Sequence, residues 1–305
     1  MQYQGVILLD KYSGMSSHDV VARARRIFNT KSIGHAGTLD PLASGLLVLL
    51  VGEATKLSQY ILERDKSYEV EFKLGVSTDT LDITGQVLQE KPVSVTPAQI
   101  EAVAQSQKGD FNWPIPMYSA SKVDGEKLYE KARRGEDFTP PSKQMSFFDL
   151  SAFKVVDTQE NRYSLSLSCS KGSFIRTWVD ELGKVLGCGA TMTALRRTYS
   201  APFQVKEALD LEELEMRLLQ KQDLNGAFVP IERALVDVPF VRVKGQSESL
   251  LNNGTISYDL RTMLISKFNP DQDQWIQVFS ENGKLLALMG VEPGVGFKIQ
   301  RVFRY

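Results

Sequence analysis

The chain has 305 residues, of which 42% are hydrophobic and 24% charged, with a formal net charge of −1. This composition supplies a core for one large domain or a domain with a small companion, and it excludes a disordered chain. The longest apolar run, Gly45–Gly52, is far too short to span a bilayer, and no basic segment precedes the first apolar residues, so a soluble, cytoplasmic protein is expected.

In chain order, Gly5–Asp10 predicts a buried strand. The next segment, "SSHDVVARARRIF", predicts an amphipathic helix capped by Ser16 or Ser17. Val20, Val21, Ala24, Ile27 and Phe28 share its apolar face, which leaves Arg23, Arg25 and Arg26 to solvent. The stretch "GHAGTLDPLASGLL" then places Asp40 in a glycine-rich turn ahead of an apolar strand, Leu46–Val51. Asp-Pro commonly opens a helical turn, so capping is the plain reading of Asp40. A short helix follows around Leu57, Tyr60 and Ile61. Ser67–Val76 alternates strictly, with Tyr68, Val70, Phe72, Leu74 and Val76 on one side, as in a half-buried strand. By that pattern alone Tyr68 is a core tyrosine.

Pro97–Gln107 reads as a helix. Asn112–Gln144 is an excursion punctuated by proline and glycine that contains a basic helix. Arg162–Ser170 alternates as a strand, and "KGSFIRTWVDELGKVLG" predicts a helix capped by Ser173, with Ile175, Trp178, Val179, Leu182 and Leu186 on its buried stripe. Helices and strands mixed without a βαβ rhythm indicate an α+β fold. From about Pro239 the pattern changes to six short runs, among them Gly254–Tyr258 and Thr262–Ser266, all predicted as strands of a small β-barrel-like domain.

The charge is unevenly placed. Lys11–His35 sets five bases against Asp19, and Ser121–Arg134 sets five bases against three acids, while Glu207–Met216 holds five carboxylates and no base. Such patches suit a polyanion-binding face, and equally a solvated surface. Two cysteines, Cys169 and Cys188, and two histidines, His18 and His35, give no disulfide framework and no zinc-spaced set, so no metal is expected, and no dinucleotide cofactor fingerprint appears. Arg176 is the anomaly. A cation in the first turn of a helix opposes the macrodipole by about 0.3–1 kcal/mol, so an acid should lie beside it. Asp180, four residues on, is one partner; Asp40, which an arginine would orient as a nucleophile requires, is the other.

These residues bring the chain to a family it closely resembles, the bacterial tRNA pseudouridine-55 synthases of the TruB family. The resemblance rests on "LLDKYSGMSSHDVV", "GHAGTLDPLASGLL", "GEATKLSQYIL", "DKSYEVEFKLGVSTDTLD", "PMYSASKVDGEKLYEKARRG", "KGSFIRTWVDELG" and "LGCGATMTALRR", which follow the family's order from Gly5 to Arg197. It implies a pseudouridine synthase fold with a mixed central sheet, residues 1–235 being catalytic with an RNA-gripping insertion at about 110–148. It also implies a PUA-like domain at 236–305. Asp40 matches the family's sole catalytic carboxylate, Arg176 its partner, and Tyr68 the ring that stacks on a flipped base. His35 would fill the space the base leaves, Phe174 and Leu195 would line the uracil pocket, and Lys11 would contact substrate. The expected partner is the T stem-loop of tRNA, bound by a monomer, with Arg23, Arg26, Lys31, Lys122, Lys127, Lys131 and Arg133 on its backbone. An isomerisation adds no water to its product, so one carboxylate can serve where glycosidases generally use two.

Two residues depart from the family pattern. Tyr12 replaces a proline and lacks its fixed φ beside Lys11, and Phe174 replaces a tyrosine and lacks its hydroxyl. Competing readings are an RNA-folding chaperone that uses the same basic face and a hydrolytic nucleosidase. The joint presence of Asp40, Tyr68 and Arg176 favours an enzyme over the first, and the lack of a second positioned acid disfavours the other.

Overall fold

The structure is a computed structural model and describes residues 3–119, 121–123, 125–134, 138–269, 274–292 and 296–304. The side chains of Lys122, Lys127 and Arg133, three of the residues expected on the RNA backbone, lie outside the described set.

The chain opens with β1 (Gly5–Lys11) and α1 (Ser17–Ile27). Ser16 caps α1: its Oγ accepts from Asp19 N, and the Asp19 carboxylate accepts from Ser16 N. Next come β2 (Ile33–His35), β3 (Ser44–Val51), the short α2 (Ser58–Leu62) and β4 (Lys66–Leu74). β5 (Val76–Thr78) and β6 (Val87–Glu90) form a side hairpin ahead of α3 (Pro97–Ser106) and β7 (Gly109–Pro114). The excursion holds β8 (Lys122–Val123), β9 (Glu126–Lys127) and α4 (Leu128–Arg133). It returns through β10 (Ser142–Asp157) and β11 (Arg162–Cys169) to α5 (Ile175–Val185), β12 (Ala190–Ser200) and β13 (Phe203–Gln204). α6 (Leu211–Leu219) and β14 (Phe228–Pro230) follow. The C-terminal region contains β15 (Phe240–Val243), α7 (Gln246–Asn252), α8 (Tyr258–Lys267), β16 (Trp275–Ser280), β17 (Leu285–Glu292) and β18 (Gly296–Val302).

The central sheet runs β14-β1-β3-β12-β4-β11-β10-β7, with β2 on β3 and β13 on β12. All its pairs are antiparallel except β3 with β12, where Arg197 lies opposite Gly45. Gly45 has φ +94°, and a Cβ there would stand 2.3 Å from the Arg197 carbonyl oxygen, so this close approach requires glycine. α1, α3 and α5 pack on one face of the sheet, over Ile7, Leu49, Val70, Phe72 and Leu165. On the other face, Val6, Leu8, Leu46, Val48 and Leu50 share a core with Tyr60 and Ile61 and with Phe279, Leu285, Leu288 and Phe303 of the C-terminal region. β1 and β3 are therefore buried on both faces, which explains their unbroken apolar runs, while β4 alternates as expected.

The α+β class holds, and the C-terminal region departs from its expected all-strand form. Its strands form a four-stranded sheet, β15-β16-β17-β18, but Thr262–Ser266 is helical within α8, and Gly254–Tyr258 is the approach to that helix. Leu260 and Leu264, one turn apart, are buried, and Ser257 Oγ accepts from Leu260 N as its cap. The start of α5 also differs. Its N-cap is Phe174, with no side-chain cap, whereas Ser173 Oγ lies 3.2 Å from Ser170 Oγ.

Candidate active site

A cleft of about 770 Å³ lies where β4, β11 and β12 meet the first turn of α5. Asp40 reaches it from the loop between β2 and β3. This loop is a turn, not a helix start: Ala43 N donates to Asp40 O at 3.0 Å, and the Asp40 carboxylate caps no helix. The peptides of Gly37, Leu39, Pro41 and Leu42 around it are tied down. Arg197 Nη2 donates to Gly37 O at 3.0 Å, Gly14 N to Pro41 O at 2.7 Å, and Ser13 Oγ to Leu42 O at 2.8 Å. The buried Ser17 hydroxyl bridges Leu39, accepting from its N at 2.8 Å and donating to its O at 2.9 Å. With the backbone fixed, the position of the carboxylate is fixed to within its own rotamers.

Arg176 meets Asp40, not Asp180. Its Nη2 lies 3.0 Å from Asp40 Oδ2, while Asp180 pairs with Lys184 at 2.8 Å. The guanidinium also donates to Thr80 O at 2.9 Å and Tyr118 O at 3.0 Å, and lies 3.6 Å from the buried Asp82 carboxylate. The two carboxylates and two carbonyls offset the unfavourable helix position. Asp82 escapes sequence reasoning because its link to Arg176 exists only after folding.

Tyr68 lines the cleft from the apolar face of β4, and burial raises its hydroxyl pKa to about 12, with nearby Arg197 opposing the shift. It is a neutral, hydrogen-bonding ring at physiological pH. Phe174 and Leu195 line the same cleft. Of the lining cations that were not singled out from the sequence, Arg197 and Lys66 are buried, and Lys143 and Lys171 are exposed. Arg197 is 1% exposed and donates to Leu46 O as well as Gly37 O, and Lys66 donates to the carbonyls of Leu62 and Arg64. Burial pushes the Lys66 amine down to about 8, and Arg197 adds to that push.

Lys11 and His35 do not line the cleft. Lys11 is 2% exposed, and its Nζ donates to Tyr12 O and Met15 O at 2.9 and 2.7 Å, so its reach is spent on its own turn. Burial brings its pKa to about 8, Asp40 opposing the shift. In place of the missing proline ring, Tyr12 anchors this turn by donating its hydroxyl to Asp210 Oδ2 at 2.8 Å. His35 sits in β2 ahead of the Asp40 loop; its Nδ1 is buried without a partner, and burial lowers its pKa. Arg23 is also not free in solvent. It pairs with Glu212 at 2.6 Å and Glu215 at 3.1 Å, because the acidic α6 packs beside α1. Arg25 donates to Ile33 O, whereas Arg26 and Lys31 are exposed and Lys131 is half-buried. Among the described residues, no three of His, Cys, Asp and Glu gather as a metal site would need, and no helix is long and apolar enough to cross a membrane.

Residues 25–175 match the model of the TruB family pseudouridylate synthase N-terminal domain, and residues 176–236 that of the tRNA pseudouridylate synthase B C-terminal domain. The tRNA pseudouridine synthase B of Bdellovibrio bacteriovorus is 51% identical, over all of this chain and 98% of that protein. The protein of the same name from Shewanella sp. strain W3-18-1 is 40% identical over 82% of this chain and 80% of its own. Among solved structures, a chain of an H/ACA RNP bound to a substrate RNA containing 2′-deoxyuridine aligns with TM-score 0.68 at 21% identity, covering 99% of this chain and 85% of that one. A chain of a Cbf5-Nop10-Gar1 complex aligns with TM-score 0.67 at 23% identity, covering 98% and 85%. These structures share the fold. On the family matches and the full-length 51% identity, the chain belongs to the TruB family of pseudouridylate synthases.

Proposed function

We propose that this chain converts the uridine at position 55 in the T loop of tRNA to pseudouridine, acting as a cytoplasmic monomer without metal or cofactor. The observation that carries the reading is the Asp40–Arg176 pair at a cleft lined by Tyr68. The C1′–N1 bond of the uridine breaks, the base turns, and C1′ bonds to C5. The C5 proton leaves and N1 gains one, so no water is consumed. Asp40 is the carboxylate that acts on the substrate, and Arg176 positions it. Tyr68 stacks on the flipped base, whose pocket Phe174 and Leu195 line. His35 acts at the margin, filling the space the base leaves, and Lys11 acts by holding the turn that abuts the Asp40 loop.

In this reading the catalytic region spans residues 1–235 and the C-terminal RNA-binding region 236–305, with the 110–148 insertion gripping the stem. Arg26, Lys31 and Lys131, together with Lys122, Lys127 and Arg133, supply phosphate contacts. The test is to incubate the protein with an unmodified T-stem-loop transcript and map pseudouridine chemically. Wild type should modify position 55, and Asp40→Asn should bind RNA within a few-fold of wild type yet form no product. Substantial turnover by Asp40→Asn would defeat the assigned role.

A further inference from the structure

Ser119 lies between β7 and β8, in the insertion, and lines the cleft with Asp40, Tyr68 and Arg176. It is 5% exposed, and its Oγ is buried with no hydrogen-bond partner. Burying a hydroxyl without a partner destabilises a fold, so such a group needs a reason. Its main chain is held from both sides. The Tyr118 carbonyl accepts from Arg176 Nη2 at 3.0 Å, and the Ser119 carbonyl accepts from Tyr129 N at 3.1 Å. Two residues on, Ser121 O accepts from Leu128 N at 2.9 Å, and Leu128 is fully buried. The contact that seats the insertion on Arg176 therefore also holds Ser119 in the cleft wall.

We propose that Ser119 Oγ is a contact to the flipped nucleotide, donating to a neutral oxygen of it, either a uracil carbonyl or the ribose 2′-hydroxyl. This rests on the reading that the cleft receives a uridine. A neutral partner is favoured because a hydroxyl can both donate and accept but carries no charge, whereas an anion at the same cleft would be drawn to Lys66, Arg176 and Arg197. Turning uracil about its N3–C6 axis exchanges its two carbonyls. A donor placed at one of them is thus satisfied before and after the base turns, which suits an isomerase better than a contact used in only one orientation. The insertion then supplies a hydrogen bond to the base or sugar in addition to gripping the stem.

The experiment compares wild type and Ser119→Ala on T-stem-loop RNAs carrying uridine or 2′-deoxyuridine at the target. Readouts are single-turnover rate at saturating enzyme, Tm without RNA, and the Tm shift on adding RNA. Removing an unpartnered buried hydroxyl should leave the free protein's Tm unchanged or higher. The rate on the uridine RNA should fall about tenfold or more, the effect of removing one hydrogen bond, and the RNA-induced Tm shift should shrink. A fall repeated on the 2′-deoxyuridine RNA assigns the bond to the base, and a fall confined to the uridine RNA assigns it to the 2′-hydroxyl. A Ser119→Ala rate within twofold of wild type on both RNAs, or a fall of several degrees in the free protein's Tm, overturns the proposal. Absence of product from wild type would defeat the functional reading separately, and the RNA-induced Tm shift would still decide whether Ser119 touches bound RNA.

Discussion

Arg176 and Asp40 meet at 3.0 Å across very different surroundings: the arginine side chain is 6% exposed and the aspartate 41%. The cation is built into the fold, with carbonyls from two other segments and a second carboxylate around it, while the carboxylate is presented to the cleft. Such an arrangement positions the carboxylate without covering it.

Arg176→Lys keeps the charge and loses the planar fork that spans Asp40, Thr80 O and Tyr118 O at once. The single-turnover rate with excess enzyme is predicted to fall roughly a hundredfold or more, since errors of about 1 Å can cost that much. RNA affinity should stay within a few-fold. A near-wild-type rate would remove the pair from the mechanism.

Ser17 is remote from substrate yet holds the Asp40 loop through both polar groups of Leu39. Ser17→Ala leaves a buried N–H and carbonyl unpaired and should lower stability by about 1–3 kcal/mol in urea unfolding. It should also slow turnover more than it weakens RNA binding, because the loop that presents Asp40 is loosened. Unchanged stability would mean the loop is held by its other ties alone.

The pKa of Lys66 is lowered from 10.5 to about 8, chiefly by burial. Below about pH 8 the folded chain carries the full penalty of a buried charge. Between about 8 and 10.5 the unfolded chain binds a proton that the folded chain lacks, so this group adds stability as pH rises. Relative to Lys66→Met, wild type should therefore gain about 2 kcal/mol between pH 7 and pH 9.5. Lys11 titrates in the same range but is common to both proteins. A gap that does not change with pH would show that the amine keeps its ordinary pKa.

Arg23 is held by Glu212 and Glu215, whereas Arg26 and Lys31 are exposed. Replacing Arg26 and Lys31 with glutamine should flatten the slope of log affinity against log salt by roughly 0.7–0.9 for each phosphate that the protein then leaves un-neutralised. Arg23→Gln should leave the slope unchanged. Equal effects from all three would mean that RNA displaces α6 carboxylates from Arg23.

From local physics alone one residue of the site was legible, because it violates its own environment, whereas the roles of Asp40 and Tyr68 came only from the resemblance of their motifs to the family. Arg176 opposes its own helix dipole, and that conflict already demanded a carboxylate. Tyr68 declared its face through the alternation of β4. Asp82, Lys66, Arg197 and Ser119 carry no such local conflict; their environment comes from segments far away in sequence. Ser173 misled because a serine ahead of a helix usually caps it, and here Ser170 takes its hydroxyl. α8 misled because Tyr258 and Ile265 are exposed while Leu260 and Leu264 are buried, which blurs any stripe, and its β-branched residues imitate strands.

The core shared between Val6, Leu8 and Leu50 on one side and Phe279, Leu285, Leu288 and Phe303 on the other also sets an order of events. Lys56 Nζ on Val302 O at 2.8 Å and Arg304 N on Glu53 Oε2 at 2.7 Å fasten the same junction. A polypeptide leaving the ribosome makes β1 first, yet the residues that complete the covering of its second face come almost 300 positions later, at Phe303. Through most of synthesis Val6 and Leu8 lack that cover, so the nascent chain presents a sticky strand that a chaperone can hold. Heat should melt the finished protein in one step, because the two regions share this core in addition to the core each holds by itself.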